Sequence, residues 1–314
     1  MARSFAPAAA TLAVASGLMS TDCLAATDPL LGATASNFVD QSPPGANDGP
    51  LGGYFDGWEA RVAEALSSQP AWVPPLLTLS PLITELVRWD VNYQVLGTGA
   101  DILNLGSGKG VFLVPTTTNE VDVGLPSYER RYGPHPSDGL GDYPFFLVKQ
   151  RLLSANGDDG NYILTASLGA QAPAGAPSFT NHAYVIIPGI LGGKGFGNLN
   201  IQAATRFAIP TSHGSTLGTA WTTDVTFQYH IPKLLLWPEF EINSTHWLGG
   251  MQHGGQNQLF LTFGAIIGAI PIGKTTALTF GAGYQFAVAP ERRLEPALIP
   301  TYDHNFVFTG RLLF

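Results

Sequence analysis

The sequence predicts an all-β fold, a transmembrane antiparallel up-and-down β-barrel of about twelve strands, preceded by a short helical and irregular segment. Two observations carry this expectation. From residue 83 onward, apolar and polar side chains alternate almost continuously, in segments of about ten residues, the length a tilted strand needs to cross a bilayer. Aromatic residues also fall near segment ends, as in Trp89/Tyr93, Trp221/Tyr229 and Phe306/Phe314, which suits girdles at the two membrane interfaces.

Taken in order, the first element is a short positive N-terminus, an Ala-rich apolar core over residues 6–19 and a small-x-small site at Cys23-Leu24-Ala25. Residues 1–25 therefore read as a cleaved secretory signal peptide. Asp22 disfavours lipidation of Cys23, the sole cysteine, so the mature chain is expected to hold neither disulfides nor thiolate metal sites. Residues 26–82 form a second, periplasmic region rich in Pro, Gly, Asp and Asn. Within it, Asp56 and Glu59 have capping-box spacing, and Trp58, Val62 and Leu66 share one face of a predicted helix, which either packs on the barrel's rim or serves as a plug or lid.

The barrel is expected over residues 83–314. In the first strand Val87, Trp89, Val91, Tyr93 and Val95 oppose Arg88, Asp90, Asn92 and Gln94, and similar dyads recur to the last strand. If the chain's end lies at the periplasmic face, connections should alternate short inside and long outside. Short turns are then expected at 270–274, 231–233 and 192–194, and a moderate one at 154–160. Long loops are expected at 290–301, 248–256, 210–217, 173–181 and 125–141. A short strand near Val111–Val114 completes an even count.

This register turns eleven charged residues inward: Arg88, Asp90, Glu120, Asp122, Lys149, Arg151, Arg206, Asp224, Glu239, Glu241 and Arg311. In hydrocarbon a basic side chain at mid-depth costs about 2–4 kcal/mol, so these must face a wet or mutually paired interior. Their mixed sign argues against strong selectivity for anions or cations. One reading pairs most of them across strands to brace the wall; the other makes some of them line a solute path whose access the N-terminal region regulates.

Several functions are disfavoured. A net charge of −8 with only 12% charged residues makes a nucleic-acid surface unsuitable. The stretch Gly268-Ala-Ile-Pro-Ile-Gly-Lys-Thr275 fits the letters of a phosphate-binding loop, but Pro271 lacks an N–H and strand periodicity follows where a helix is required, so no nucleotide is expected. Gly106-Ser-Gly-Lys-Gly110 is likewise a loop with no helix after it. The histidines lack metal-ligand spacing, and no cofactor is expected. His213 and Ser215 could act as base and nucleophile in a lipid hydrolase at the outer surface, a minority alternative to a non-enzymatic barrel, because Pro210, Gly214 and Gly218 make this a loop and no third residue orients the histidine. A closed structural or adhesive barrel is a further alternative.

The last stretch, Asn305 to Phe314, sets Phe306, Phe308, Leu312 and Phe314 on one face and looks like the C-terminal signature by which bacterial outer-membrane barrels meet their assembly machinery. Residues 141–169, from Gly141-Asp-Tyr-Pro through Lys149 and Arg151 to Ala-Ser-Leu-Gly169, resemble the central hairpin of the "meta-pathway of phenol degradation" family of outer-membrane transporters. That resemblance implies a barrel surrounded by outer-membrane lipid that passes a small, hydrophobic or aromatic solute, and no catalytic residues come with it.

Overall fold

The computed structural model describes residues 50–96, 99–108, 110–251, 253–273, 275–289 and 302–314. Two helices, α1 (Pro50–Asp56) and α2 (Trp58–Ser67), lead into fifteen strand segments: β1 (Leu86–Leu96), β2 (Ala100–Leu105), β3 (Gly110–Thr116), β4 (Asn119–Gly124), β5 (Tyr128–Tyr132), β6 (Ser137–Leu140), β7 (Tyr143–Ala155), β8 (Tyr162–Ala172), β9 (Val185–Phe196), β10 (Leu199–Pro210), β11 (Ala220–Tyr229), β12 (Leu236–Trp247), β13 (Asn257–Pro271), β14 (Ala277–Ala289) and β15 (His304–Leu313). A short helix, α3 (Gly214–Leu217), lies between β10 and β11. Every strand pairs antiparallel with its neighbours, and β15 returns to β1 from Leu86↔Leu313 to Val95↔His304. The sheet is therefore closed into a barrel, with β6 alone among the described strands paired on one side only, and closure is what lets strand N–H and C=O groups be satisfied without water.

The ring has twelve strands because three of its places are each filled by two collinear segments. Leu86–Arg88 of β1 pairs with β3, while Val91–Leu96 pairs with β2. In the same way β4 continues into β5, and β6 into β7. Beside the breaks Gly110 faces Gly124, and a Cβ on Gly124 would stand 1.9 Å from the Pro144 carbonyl oxygen. Much of the stretch expected as one long loop over 125–141 is therefore a continuation of the wall, with Tyr128, Arg130 and Tyr132 outward.

We call the end where β1 starts and β15 stops the near end, and the other the far end. Most expected turns fall at the near end, but the one at 192–194 does not exist. β9 runs on to Phe196, and the chain reverses at Gly197, whose φ of +59° a side chain would resist. The first strand begins at Leu86 and not at residue 83. In the phosphate-loop-like motif, Gly268–Pro271 belong to β13 and the chain passes into β14 with no helix, so the strand context wins over the letters. The signal-peptide and Cys23 readings, the loop at 290–301 and Lys274 lie outside the described residues.

Burial inverts the pattern of a soluble sandwich. In β11, Thr222, Asp224, Thr226 and Gln228 are buried while Trp221, Phe227 and Tyr229 are exposed on the outer face. The outer aromatics do more than gather at strand ends. Phe227, Phe240, Phe263, Tyr284, Phe306 and Tyr93 are successive register partners across six adjacent strands. Neighbouring rings meet at 4.9 Å for Phe240–Phe263 and 5.0 Å for Tyr284–Phe306, within the favourable range for aromatic pairs. Among the described residues no helix is long and apolar enough to cross a membrane.

Candidate functional site

Residues 69–85 do not lie outside the barrel; they run through the near half of its lumen. Pro70, Pro74, Pro75 and Pro81 keep this stretch out of helix and sheet, because each fixes φ and removes a backbone donor, and the chain bends at residues 76–78. Such a chain has no internal ladder, so its polar groups need partners elsewhere. The inward side chains of the wall supply them.

At the entry, α2 packs on β3 through Val62 and Ala65, which join Ile83, Val114 and Trp58 in one apolar cluster. Tyr54 donates to the Pro115 carbonyl at 2.9 Å, and the Trp58 indole N–H donates to Glu85 at 2.7 Å. Arg151 holds the helix C-terminus, donating to the Ala65 carbonyl at 2.7 Å and the Ser68 hydroxyl at 2.8 Å, which complements the negative end of the helix dipole. The expected helix face needs two corrections. Leu66 is 40% exposed and its place is taken by Ala65, one residue earlier on the buried stripe. Asp56 closes α1, and Gly57 caps α2 without a side-chain bond, so no capping box forms.

The central stretch, residues 73–78, is clamped from two sides. Arg311 donates to the Pro74 carbonyl, and to the Pro75 carbonyl at 2.7 Å, while Arg88 donates to the Leu76 carbonyl at 2.5 Å. Glu239 accepts the Leu76 N–H at 3.0 Å. Glu241 accepts the Leu77 N–H at 2.9 Å, the Thr78 N–H at 2.7 Å and the Thr78 hydroxyl at 2.6 Å. The two prolines, which have no N–H, meet only donors; the residues with N–H meet carboxylates. Between these contacts the Leu76 side chain enters a recess floored by Gly264, Gly281 and Gly283, where an added Cβ would come within 2.4, 2.7 and 2.7 Å of its methyl groups. Val73, Trp237, Ile266 and Val307 surround it.

Further along, Thr165 donates to the Pro81 carbonyl at 2.7 Å and Lys149 to the Leu82 carbonyl at 2.9 Å. Glu120 takes the Thr84 N–H and hydroxyl while forming a buried ion pair with Lys149. Gln69 and Ile83 exchange two bonds, at 2.7 and 3.0 Å, which folds the segment back on itself before β1.

Of the eleven charged residues, Arg88 and Arg206 are half-buried and the other nine are buried, and cross-strand pairing accounts for only part of them. Lys149–Glu120 and Arg206–Asp224, the latter at 3.1 Å, bridge neighbouring strands; Arg88–Asp90, at 2.8 Å, lies within one. Arg151, Glu239, Glu241 and Arg311 are spent on the N-terminal segment. Asp122 is buried close to Glu120 on the same inner face. Above the segment, toward the far end, Asn243 donates to Asp224 at 3.2 Å and accepts from Gln285 at 2.8 Å. Nearer the far rim the inner surface turns apolar, with Val185, Ala208, Leu217, Ala220 and Trp247 in contact.

His213 and Ser215 sit exposed on the far-end connection, His213 just before α3 and Ser215 within it, and no hydrogen bond joins their side chains. Phe306, Phe308 and Phe314 are exposed on the outer face at β15, with Leu312 on the same side. The clamp on residues 74–78 was not foreseen. Its traces in the sequence are the apolar run Trp72-Val73 and Leu76-Leu77, too hydrophobic for a solvated linker, and inward Trp237, Ile266 and Val307 in an otherwise polar lumen.

No protein-family model and no curated protein matches the chain, so the family resemblance of the central hairpin gains no support from that side. Among solved structures, the chain is similar to the COG4313 outer membrane channel from Pseudomonas putida F1, at 14% identity and a TM-score of 0.47, over 77% of this chain and 98% of that one. It is also similar to the NanC porin, at 12% identity and a TM-score of 0.46, over 72% and 98% of the two chains.

Proposed function

We propose that the protein is an outer-membrane channel for a small solute, closed at rest by its own N-terminal segment. The observation that carries this reading is the seat of residues 69–85, whose backbone is bonded to inward side chains from around the barrel. The apolar outer face and polar inner face suit a bilayer-embedded wall. A purely structural barrel would gain nothing from a segment held by charges: fixing buried charges on a backbone costs desolvation that an apolar plug of the same volume avoids. A segment whose bonds are polar and numerous can instead be released as a unit when other partners replace them. A solute with a hydrophobic or aromatic part is in keeping with the family resemblance of residues 141–169. No reacting residue is needed, and the exposed, unjoined His213 and Ser215 give the hydrolase reading nothing to build on.

Single-molecule conductance in planar bilayers tests this. The full chain should show low or intermittent current, and a variant lacking residues 69–82 a larger, steady one. Equal silence in both, with folding confirmed by heat-modifiable gel mobility, would refute the channel.

A further inference from the structure

The clamp around residues 74–78 has more specificity than closure requires. We infer that it is a recognition site for short proline-led peptides that bend at an apolar side chain, and that the N-terminal segment, bent at residues 76–78, is its tethered occupant. This rests on the reading of the segment as a displaceable closure.

Three features point to a peptide. The guanidiniums of Arg311 and Arg88 meet three successive carbonyls, those of Pro74, Pro75 and Leu76. The carboxylates of Glu239 and Glu241 meet three successive N–H groups, those of Leu76, Leu77 and Thr78. A single side chain between the two sets fills a recess that Gly264, Gly281 and Gly283 leave open for it. Carbonyl acceptors followed by N–H donors on successive peptide units, with one apolar pocket at the change-over, match a bent peptide backbone in one chain direction, and peptide grooves likewise take affinity from main-chain bonds and specificity from side-chain pockets. Here inward side chains of the wall, not a sheet edge, supply those bonds.

The chemistry also says what will not displace the segment. A hydrocarbon or simple aromatic could fill the glycine recess, but it would leave Glu239, Glu241 and Arg311 in the near half of the lumen without the backbone partners they now hold, while Arg88 keeps only Asp90. Buried charges stripped of such partners are strongly unfavourable. A displacing ligand must bring carbonyls to the arginine side and N–H groups to the glutamate side. A peptide whose first residues are prolines does so without presenting a donor to a guanidinium. Recognition extends one step further at the N-terminal side, where Gln202 donates to the Val73 carbonyl at 3.1 Å and Trp72 lies against Gly193.

The test uses a capped, fluorescently labelled peptide of sequence Trp-Val-Pro-Pro-Leu-Leu-Thr, with the same composition in reversed order as control. It is added to two proteins: the variant lacking residues 69–82, and the full-length chain carrying Leu76→Ala and Thr78→Ala, which keeps the segment but weakens its anchors. Binding is read by anisotropy and block by single-channel current. The forward peptide should bind both proteins and reduce the current of the deletion variant; the reversed peptide should be weaker by about tenfold or more. Adding Glu239→Gln and Glu241→Gln to either protein should weaken the forward peptide by a similar factor. Equal binding of both peptides, or no binding of the forward peptide at millimolar concentration by a folded protein, overturns the inference. Peptide binding by variants that never conduct upholds the site and refutes the channel; conductance without peptide binding does the reverse.

Discussion

Glu241 carries more of the segment than any other single residue, since its two oxygens accept three bonds from Leu77 and Thr78. Replacing it by Gln removes a charge and turns one acceptor into a donor facing a donor. A buried, unmet hydrogen-bonding group costs about 1–3 kcal/mol, so Glu241→Gln should raise the fraction of unseated segment by about tenfold or more. Cleavage by thermolysin between residues 75 and 79 of the otherwise folded barrel measures this directly. Gly283 gives an independent handle. A Cβ there would lie 2.7 Å from a Leu76 methyl and 3.3 Å from a Val307 methyl, so Gly283→Val should unseat the segment and raise the same cleavage. Gly310, around whose Cβ position there is nothing within 4 Å, should accept Ala without effect.

At the scale of elements, the outer wall of β13 makes the next prediction. Phe263 is 55% exposed in the middle of the aromatic row. Arg at such a position should destabilise the barrel by about 2–4 kcal/mol in lipid, read as a lowered urea midpoint in bilayer vesicles. Strands were legible in the sequence because their period of two survives any local accident: Trp221, Phe227 and Tyr229 could face only one way if Asp224 and Gln228 faced the other. What failed were boundaries and breaks. The turn misplaced at 192–194 followed from reading Gly192 and Gly193 as turn formers, when Gly193 is small because Trp72 lies against it. Residues 125–141 looked like a loop because Gly, Pro and charge cluster there, yet Tyr128, Arg130 and Tyr132 already carried a strand period. The capping box failed because α1 ends where α2 was expected to be capped.

For the whole molecule, the inner face was legible as polar but not as occupied. Alternation alone puts eleven charges on the polar side of their strands; which of them bind each other and which bind a backbone depends on contacts between residues more than a hundred and fifty positions apart, such as Leu76 with Glu239. Composition marks residues 26–82 as different from the barrel, and the prolines mark part of them as neither helix nor sheet. Neither says where such a segment goes. The account therefore stands or falls on the seat of that segment in the near half of the lumen. Ser80 is the position to probe, because it is 6% exposed, its hydroxyl donates to Gln202 at 3.0 Å, and cysteine is nearly its isostere. In a Cys23→Ser background, the rate at which a charged, membrane-impermeant maleimide labels Ser80→Cys should be far below that of Ser215→Cys on the exposed far-end connection, and should rise when Glu239→Gln and Glu241→Gln are added. Labelling of Ser80→Cys as fast as Ser215→Cys in the folded, otherwise unaltered barrel would contradict the account.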